Sequence, residues 1–216
     1  MAQYKVSDDI EKALIKQYDI RTKMLRDKDH AVFRYVYPYL EDPASAYDGA
    51  FSDPDPDIPV PFEMHWNEML LRYCIDWRRC GKCSDIGPEI LSSSTVSSFG
   101  ISPDQVYKTA FSNLSKLSPE IRFHKDAGIF TVFFEKDEIG ITSALLLNPV
   151  FWKKMSAVTG GPQEIVCAGK SLLFVKSRNA SPSQEETGYI LDHYEKGAFV
   201  TKKHFSWDEN GNVFEI

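Results

Sequence analysis

The residues best suited to chemistry are two cysteines in the run Cys80-Gly81-Lys82-Cys83. Two thiols separated by two residues, beside Arg78, Arg79 and Lys82, can have lowered pKa values and carry out redox work. The same pair can supply half of a tetrahedral zinc site. Neither reading is complete in the sequence. A structural zinc needs four ligands, and His65 and Cys74 lie upstream at no standard spacing from the pair. A thioredoxin-like pair follows a strand and opens a helix within a βαβ unit, whereas this one follows an expected helix. Cys80 and Cys83 are therefore candidate metal ligands or redox thiols, weighed against ordinary reduced cysteines, which is the more economical reading.

The remaining constellations are weaker. The stretch 41–57 holds Glu41, Asp42, Asp48, Asp53, Asp55 and Asp57, oxygen donors of the kind calcium takes. It lacks the glycine at the sixth position and the closing glutamate of a calcium loop, and a solvated Pro/Asp loop explains it more simply. His65, His124, His193 and His204 are scattered, with no H-E-x-x-H spacing among them. Ser143 has no G-x-S-x-G elbow, and Thr142 and Ser143 read as caps of the helix that follows. Asn113 is polar within an otherwise apolar helical pattern. Gly169-Lys170-Ser171 resembles the end of a phosphate loop, but Glu164 stands where that loop needs its first glycine. No acid, base and nucleophile converge in sequence, and nothing in it asks for a cofactor.

The elements that must position these groups are set by an ordinary globular composition. The 216 residues allow one large domain or two small ones, and 43% hydrophobic content with fourteen Phe, ten Tyr and four Trp provides for a core. The net charge is −6, and the basic clusters Arg78-Arg79 and Lys202-Lys203 are short and flanked by acids. A nucleic-acid binder needs a basic face for phosphate, so none is expected as a partner. No apolar run of about 18 residues is present, so no membrane span is expected. The N-terminal residues contain no apolar signal region. The expected location is the cytoplasm, with Cys74, Cys80, Cys83 and Cys167 reduced.

Periodicity predicts a helix over 7–28, capped by Ser7, with Ile10, Leu14, Ile15 and Tyr18, continued by Thr22 and Leu25, as its apolar face. A short strand over 31–37 is expected to stop at Pro38, followed by the Pro/Asp loop over 41–61. Residues 62–77 read as a strand running into a helix, the helical part resting on Trp66, Leu70, Tyr73 and Trp77. Gly81 marks a turn and 86–99 is ambiguous. Ser102-Pro103-Asp104-Gln105 is a helix start, with serine as cap and proline in the first turn. Pro119 ends that helix. Strands are expected at 121–124, 129–134, 164–168 and 172–175. A helical stretch over 142–155 is interrupted at Asn148-Pro149. A helix over 184–196 stops at Gly197. A hairpin closes the chain, with Asn210-Gly211 as its two-residue turn.

Five stretches in this order carry a family resemblance: Ala110-Phe111-Ser112-Asn113-Leu114-Ser115-Lys116-Leu117, Gly128-Ile129-Phe130, Ile141-Thr142-Ser143-Ala144-Leu145-Leu146-Leu147, residues 164–174, and Tyr194-Glu195-Lys196-Gly197 before the hairpin. From about residue 109 onward the chain resembles the YtpQ-like bacterial proteins, a domain family of unknown function. It departs from the family's Val-Pro pair at Cys167-Ala168 and from its aspartate at Ser171. The resemblance implies an α+β fold and a bacterial cytoplasmic setting. It implies no activity, and no catalytic residue carries over from it.

The expected fold is therefore α+β, a mostly antiparallel sheet with helices packed on it, because helices and strands mix without βαβ alternation. Residues 1–100 hold the first helix, the strand, the Pro/Asp loop and the cysteine region, as a separate domain or as part of one with the rest. Residues 101–216 form the YtpQ-like module. The expected function is a non-enzymatic binding or protein-interaction module for a protein or small-molecule partner. A homodimer sharing a sheet edge fits the same reading. The alternatives are an enzyme whose site is assembled from dispersed residues, and a thiol or zinc protein using Cys80 and Cys83.

Overall fold

The computed structural model describes residues 8–43, 61–126, 128–135, 137, 140–177, 188 and 200–216. The fold is α+β with two antiparallel sheets, one of four strands and one of six. The chain forms two compact units that interleave along the sequence instead of meeting at one point near residue 100. One consists of Met1–Tyr37, Pro59–Phe62 and Tyr73–Asn113, the other of Pro38–Ile58, Glu63–Arg72 and Leu114–Ile216. The proposed cap Ser7, the Pro/Asp loop over 44–60 and most of the expected helix over 184–196 lie outside the described residues.

The first unit opens with α1 (Asp8–Arg26). Its expected apolar face is only partly the one it docks with: Leu14 and Leu25 are half-buried, whereas Ile10, Ile15 and Tyr18 are exposed. Leu14, Gln17, Ile20, Arg21, Met24 and Leu25 form its half-buried row. Polar anchors select this face. The Asp85 N–H donates to Gln17 Oε1 at 2.8 Å, and Arg21 Nε donates to Glu89 Oε2 at 2.8 Å. The same Glu89 oxygen accepts from Trp77 Nε1 at 2.9 Å. Residues 30–35 form a 3-10 helix (His30–Tyr35) instead of a strand. Asn113 explains its own place in an apolar helix: its buried Nδ2 donates to the carbonyls of Phe33 at 2.8 Å and Val36 at 3.0 Å.

The strand expected to stop at Pro38 begins two residues earlier and passes through it, as β1 (Val36–Glu41). Proline is tolerated because β1 is an outer strand in the order β1-β3-β2, where a missing N–H breaks no ladder bond. Residues 62–77 contain no helix of the expected kind. They form the hairpin β2 (Glu63–Trp66) and β3 (Met69–Ile75), turned at Asn67 with a φ of 53°, and then a short 3-10 turn (Trp77–Arg79). All of β3 is buried, so it lacks the alternation that marks a half-exposed strand. The ambiguous stretch 86–99 resolves into β4 (Glu89–Ile90), paired with Cys74 and Ile75, and α2 (Ser93–Phe99), capped by Ser92 Oγ on the Thr95 N–H at 3.1 Å. The helix start at Ser102 is as expected. In α3 (Pro103–Lys116) the Ser102 hydroxyl accepts from the Gln105 N–H at 3.3 Å, and Gln105 Oε1 accepts from the Ser102 N–H at 2.9 Å.

The second unit is built on the six-stranded sheet, in the order β10-β9-β7-β8-β6-β5. Its strands are β5 (Ile121–Asp126), β6 (Ile129–Phe134), β7 (Glu164–Gly169), β8 (Leu172–Lys176), β9 (His204–Trp207) and β10 (Val213–Glu215). Ile129, Val166 and Phe174 pack together at its centre. The stretch before Asn148 is a 3-10 helix (Ile141–Leu147), not an α-helix. Thr142 and Ser143 do not cap it. The Asp137 carboxylate does, accepting the N–H groups of Gly140 at 2.7 Å, Ile141 at 2.9 Å and Thr142 at 2.7 Å. Thr142 Oγ1 instead takes the Phe134 N–H, and Ser143 Oγ the Leu40 N–H at 2.8 Å, both fully buried. The next helix is α4 (Pro149–Thr159), and Gly160 ends it at a φ of 76°. Two indoles hold α4: Trp152 Nε1 donates to the Leu145 carbonyl and Trp207 Nε1 to Ser156 Oγ, each at 2.7 Å.

The terminal hairpin is present, but its turn is longer than two residues. Val213 pairs with Trp207, so residues 208–212 form the connection. Asp208 organises it, its Oδ1 accepting from the N–H groups of Asn210 and Asn212 at 2.8 Å each. Gly211 has a φ of 86°, and a Cβ there would sit 2.0 Å from the Pro149 carbonyl oxygen. A glycine is thus required where the connection passes the first turn of α4.

Candidate functional site

Cys80 and Cys83 lie in the first unit, on a tight turn closed by the Cys83 N–H donating to the Cys80 carbonyl at 2.8 Å. Both are buried. Burial, with the charge and hydrogen bond of Cys80 adding to it, pushes the Cys83 thiol up to about 11, against smaller opposing effects of Arg21 and Lys82. The Tyr35 hydroxyl is raised by burial and by its hydrogen bond to Cys80. The nearby basic residues therefore do not make Cys83 a thiolate, because desolvation outweighs them. Among the described residues no group of three or more His, Cys, Asp or Glu side chains could hold a metal ion, so no third ligand stands beside this pair. Cys74 hydrogen-bonds the Tyr37 carbonyl, and His65 is exposed on β2.

Two hollows of the second unit are lined by described residues. One is open and charged, about 490 Å³, lined by Glu164, His204, Lys202, Lys203 and Glu215. Its shape comes from the ladder: Val166 pairs with His204, and Glu164 two residues on bonds His204 Nδ1 at 2.5 Å and Lys176 Nζ at 3.0 Å. Lys203 pairs with Glu215 at 2.9 Å and Glu68 at 3.2 Å. These charges largely satisfy one another. Two bonds to carboxylates raise the Lys203 amine above its ordinary value.

The other hollow is apolar, with a cavity volume of about 360 Å³. One wall is α4. Its inner row is Phe151 and Met155, both buried, and its outer row is Val150, Lys154 and Val158 at four-residue spacing. The opposite wall is Ser118, Ile121 and Phe123, from the 3-10 turn (Ser118–Glu120) and the start of β5. Val150 is 62% exposed, Val158 58% and Phe123 48%. Single exposed apolar residues are normal, but three around one concavity form a patch that calls for an explanation. The rings of Phe123 and Phe151 lie parallel within 1° across the groove, with centroids 6.4 Å apart. Phe151 in turn meets Trp152 edge-on at 4.8 Å, and Trp152 lies 5.0 Å from Trp207, so the inner wall is backed by a packed aromatic row.

The polar groups of this groove are few and specific. Asn148 is only 8% exposed. Its Oδ1 is committed to the Phe151 N–H at 3.1 Å as the cap of α4, and its Nδ2 has no partner among the described residues. Lys154 has no ion-pair partner among them either. Among the described residues no acidic side chain lines the groove.

Comparison with protein-family models, with curated proteins and with solved structures found no match to this chain.

None of the groove residues stands out from the sequence as a site. Asn148-Pro149 reads there only as a helix interruption, although asparagine before proline is a cap followed by a preorganised first turn. The available signal was Val150, Lys154 and Val158, a second row on a helix whose core row is already supplied by Phe151, Trp152 and Met155. Sequence candidates elsewhere turn out to be structural. The Lys170 amine pairs with buried Glu41, and Asn113 and Ser143 bond backbone. His193 lies outside the described residues.

Proposed function

We propose that this protein is a non-enzymatic binding module whose recognition element is the apolar groove along α4. The observation that carries the reading is the exposure of Val150, Val158 and Phe123 around one cavity with buried Phe151 and Met155 at its base. Small-molecule sites are concave and mostly apolar, with a few placed polar groups, and begin at roughly 300 Å³, the range this groove enters. A cytoplasmic setting is part of the proposal, supported by four buried cysteines that are all free. So is kinship of the second half with the YtpQ-like proteins, supported by the order and spacing of the five motifs. A small-molecule partner is favoured over nucleic acid by the net charge of −6.

The test is binding of a neutral apolar dye, N-phenyl-1-naphthylamine, to the full chain. The wild type should bind and enhance its fluorescence. Val150→Glu, at an exposed position that tolerates charge, should weaken binding about tenfold, the order expected from a charge placed in an apolar contact. Absence of binding, or binding indifferent to Val150→Glu and Val158→Glu, would sink the proposal.

The enzyme alternative rests on one observation, the 2.5 Å contact between His204 Nδ1 and Glu164, the pairing by which a carboxylate orients a general-base histidine. A turnover shown by the wild type and lost in His204→Gln would favour it.

A further inference from the structure

We infer that the groove takes an amphiphilic monocarboxylate, a straight-chain alkyl acid with its carboxylate at the N-terminus of α4 and its chain along Phe151 and Met155. This rests on the reading of the groove as a recognition site. Three independent features converge on the head group. Asn148 is nine-tenths buried and lines the groove, and its amide N–H₂ has no protein partner among the described residues. A buried donor left unmet disfavours the empty groove, and a ligand acceptor removes that cost. Asn148 caps an eleven-residue helix, whose N-terminal dipole favours negative charge at the same place. Lys154 supplies a positive charge on the groove wall, with no carboxylate paired to it among the described residues.

The tail follows from the walls. Beyond Asn148 and Lys154, the groove is lined by Phe, Val, Ile and Met side chains, with two serines at one end. A single cation and one amide suit a monoanion. A phosphate would draw on several cations or a bidentate arginine, and no arginine lines the groove among the described residues. A volume of about 360 Å³ suits a short chain better than a folded peptide.

The experiment is calorimetric titration of the full chain with octanoate, decanoate, decanol and decylammonium, each below its micellar concentration. Decanoate should bind about fifteenfold tighter than octanoate, from about fourfold per buried methylene. It should also bind about tenfold or more tighter than decylammonium, the scale of a charge-assisted hydrogen bond. Asn148→Asp keeps a good helix cap but places a carboxylate where the amide was, and should reverse the preference between decanoate and decylammonium. Asn148→Ser is a second good cap, and should lower decanoate affinity without reversing the order. Lys154→Gln should weaken decanoate and leave decanol unchanged. If decanol and decylammonium bind as tightly as decanoate, the carboxylate inference is overturned while the groove survives as an apolar site. If none of the four binds in a manner sensitive to Val150→Glu, both fall.

Discussion

Gly211→Ala offers a sharp check on how α4 is held, because a control at the other end of the same helix isolates the relevant term. Gly211 and Gly160 both have left-handed backbones, with φ of 86° and 76°. Replacing either with alanine therefore carries the same conformational penalty, roughly 1–2 kcal/mol. The surroundings differ. A Cβ at Gly160 would meet nothing within 4 Å, whereas one at Gly211 would lie 2.0 Å from the Pro149 oxygen and 2.9 Å from the Lys153 nitrogen. Both obstacles are backbone atoms of the first turns of α4, which cannot swing aside as a side chain can. Forced overpacking of this kind adds roughly 1–3 kcal/mol. The expected costs are about 1–2 kcal/mol for Gly160→Ala and about 2–5 kcal/mol for Gly211→Ala. At about 2–4 °C per kcal/mol, Gly211→Ala should melt several degrees below its control. Tryptophan emission is the appropriate probe, since Trp152 and Trp207 contact one another at 5.0 Å beside this helix. Equal melting temperatures for the two variants would show that the 208–212 connection does not press on α4, and would remove the account of how the groove wall is fixed.

Three further outcomes are expected. Asn113→Leu keeps the volume but loses the bonds to the Phe33 and Val36 carbonyls, and should cost about 1–3 kcal/mol by urea unfolding; a change within about 0.5 kcal/mol would contradict that role. Arg72 is buried between Glu41 and Glu63 at 2.8 Å each, so Arg72→Met leaves Glu41 with Lys170 alone and should cost about 1.5–3 kcal/mol, the scale of a lost hydrogen bond between charged groups; adding Glu41→Leu should show non-additivity in a double-mutant cycle. Cys83 is raised by burial to about 11, so the folded state prefers its neutral thiol. Its contribution to stability is complete below the unfolded thiol value near 9 and is lost as pH rises from there toward 11. Alkylation of native Cys83 should accordingly be slow at pH 8 relative to a denatured control, and equal rates would refute the burial argument.

Local rules with short reach were legible in the sequence. The Ser102/Gln105 capping pair, the strands β5 to β8 and the terminal hairpin pair all follow from adjacent residues and their alternation. The failures share a cause, which is contact made far along the chain. Pro38 should end a strand, but the outer position of β1 removes the penalty. Residues 69–75 mimic a helix because both faces are buried and the one polar residue among them, Arg72, is buried as well, so polarity does not mark an alternation. Ile10, Ile15 and Tyr18 define the apolar face of α1 by spacing, yet Gln17 and Arg21 choose the docked face through Asp85 and Glu89, 68 residues away. The groove was hidden for a related reason. Exposed valines on a short helix look like core residues until the fold shows that none of the described residues covers them. The cysteine pair was conspicuous by spacing, but thiol reactivity depends on burial and charge, which spacing does not encode.

The outermost strand beside the groove has a bearing on self-association. Among the described residues β5 has a neighbour, β6, on one side only. Its exposed positions carry Arg122, Phe123, His124 and Lys125. Two copies joined antiparallel along this strand would bring cationic side chains across from one another, an arrangement that repels. Lysine and arginine on an open edge are a recognised guard against indiscriminate strand addition. The single large apolar group among the four, Phe123, is the one that forms the groove wall. Strand β5 therefore lends an apolar side chain to the groove while its charges discourage a second sheet from docking alongside.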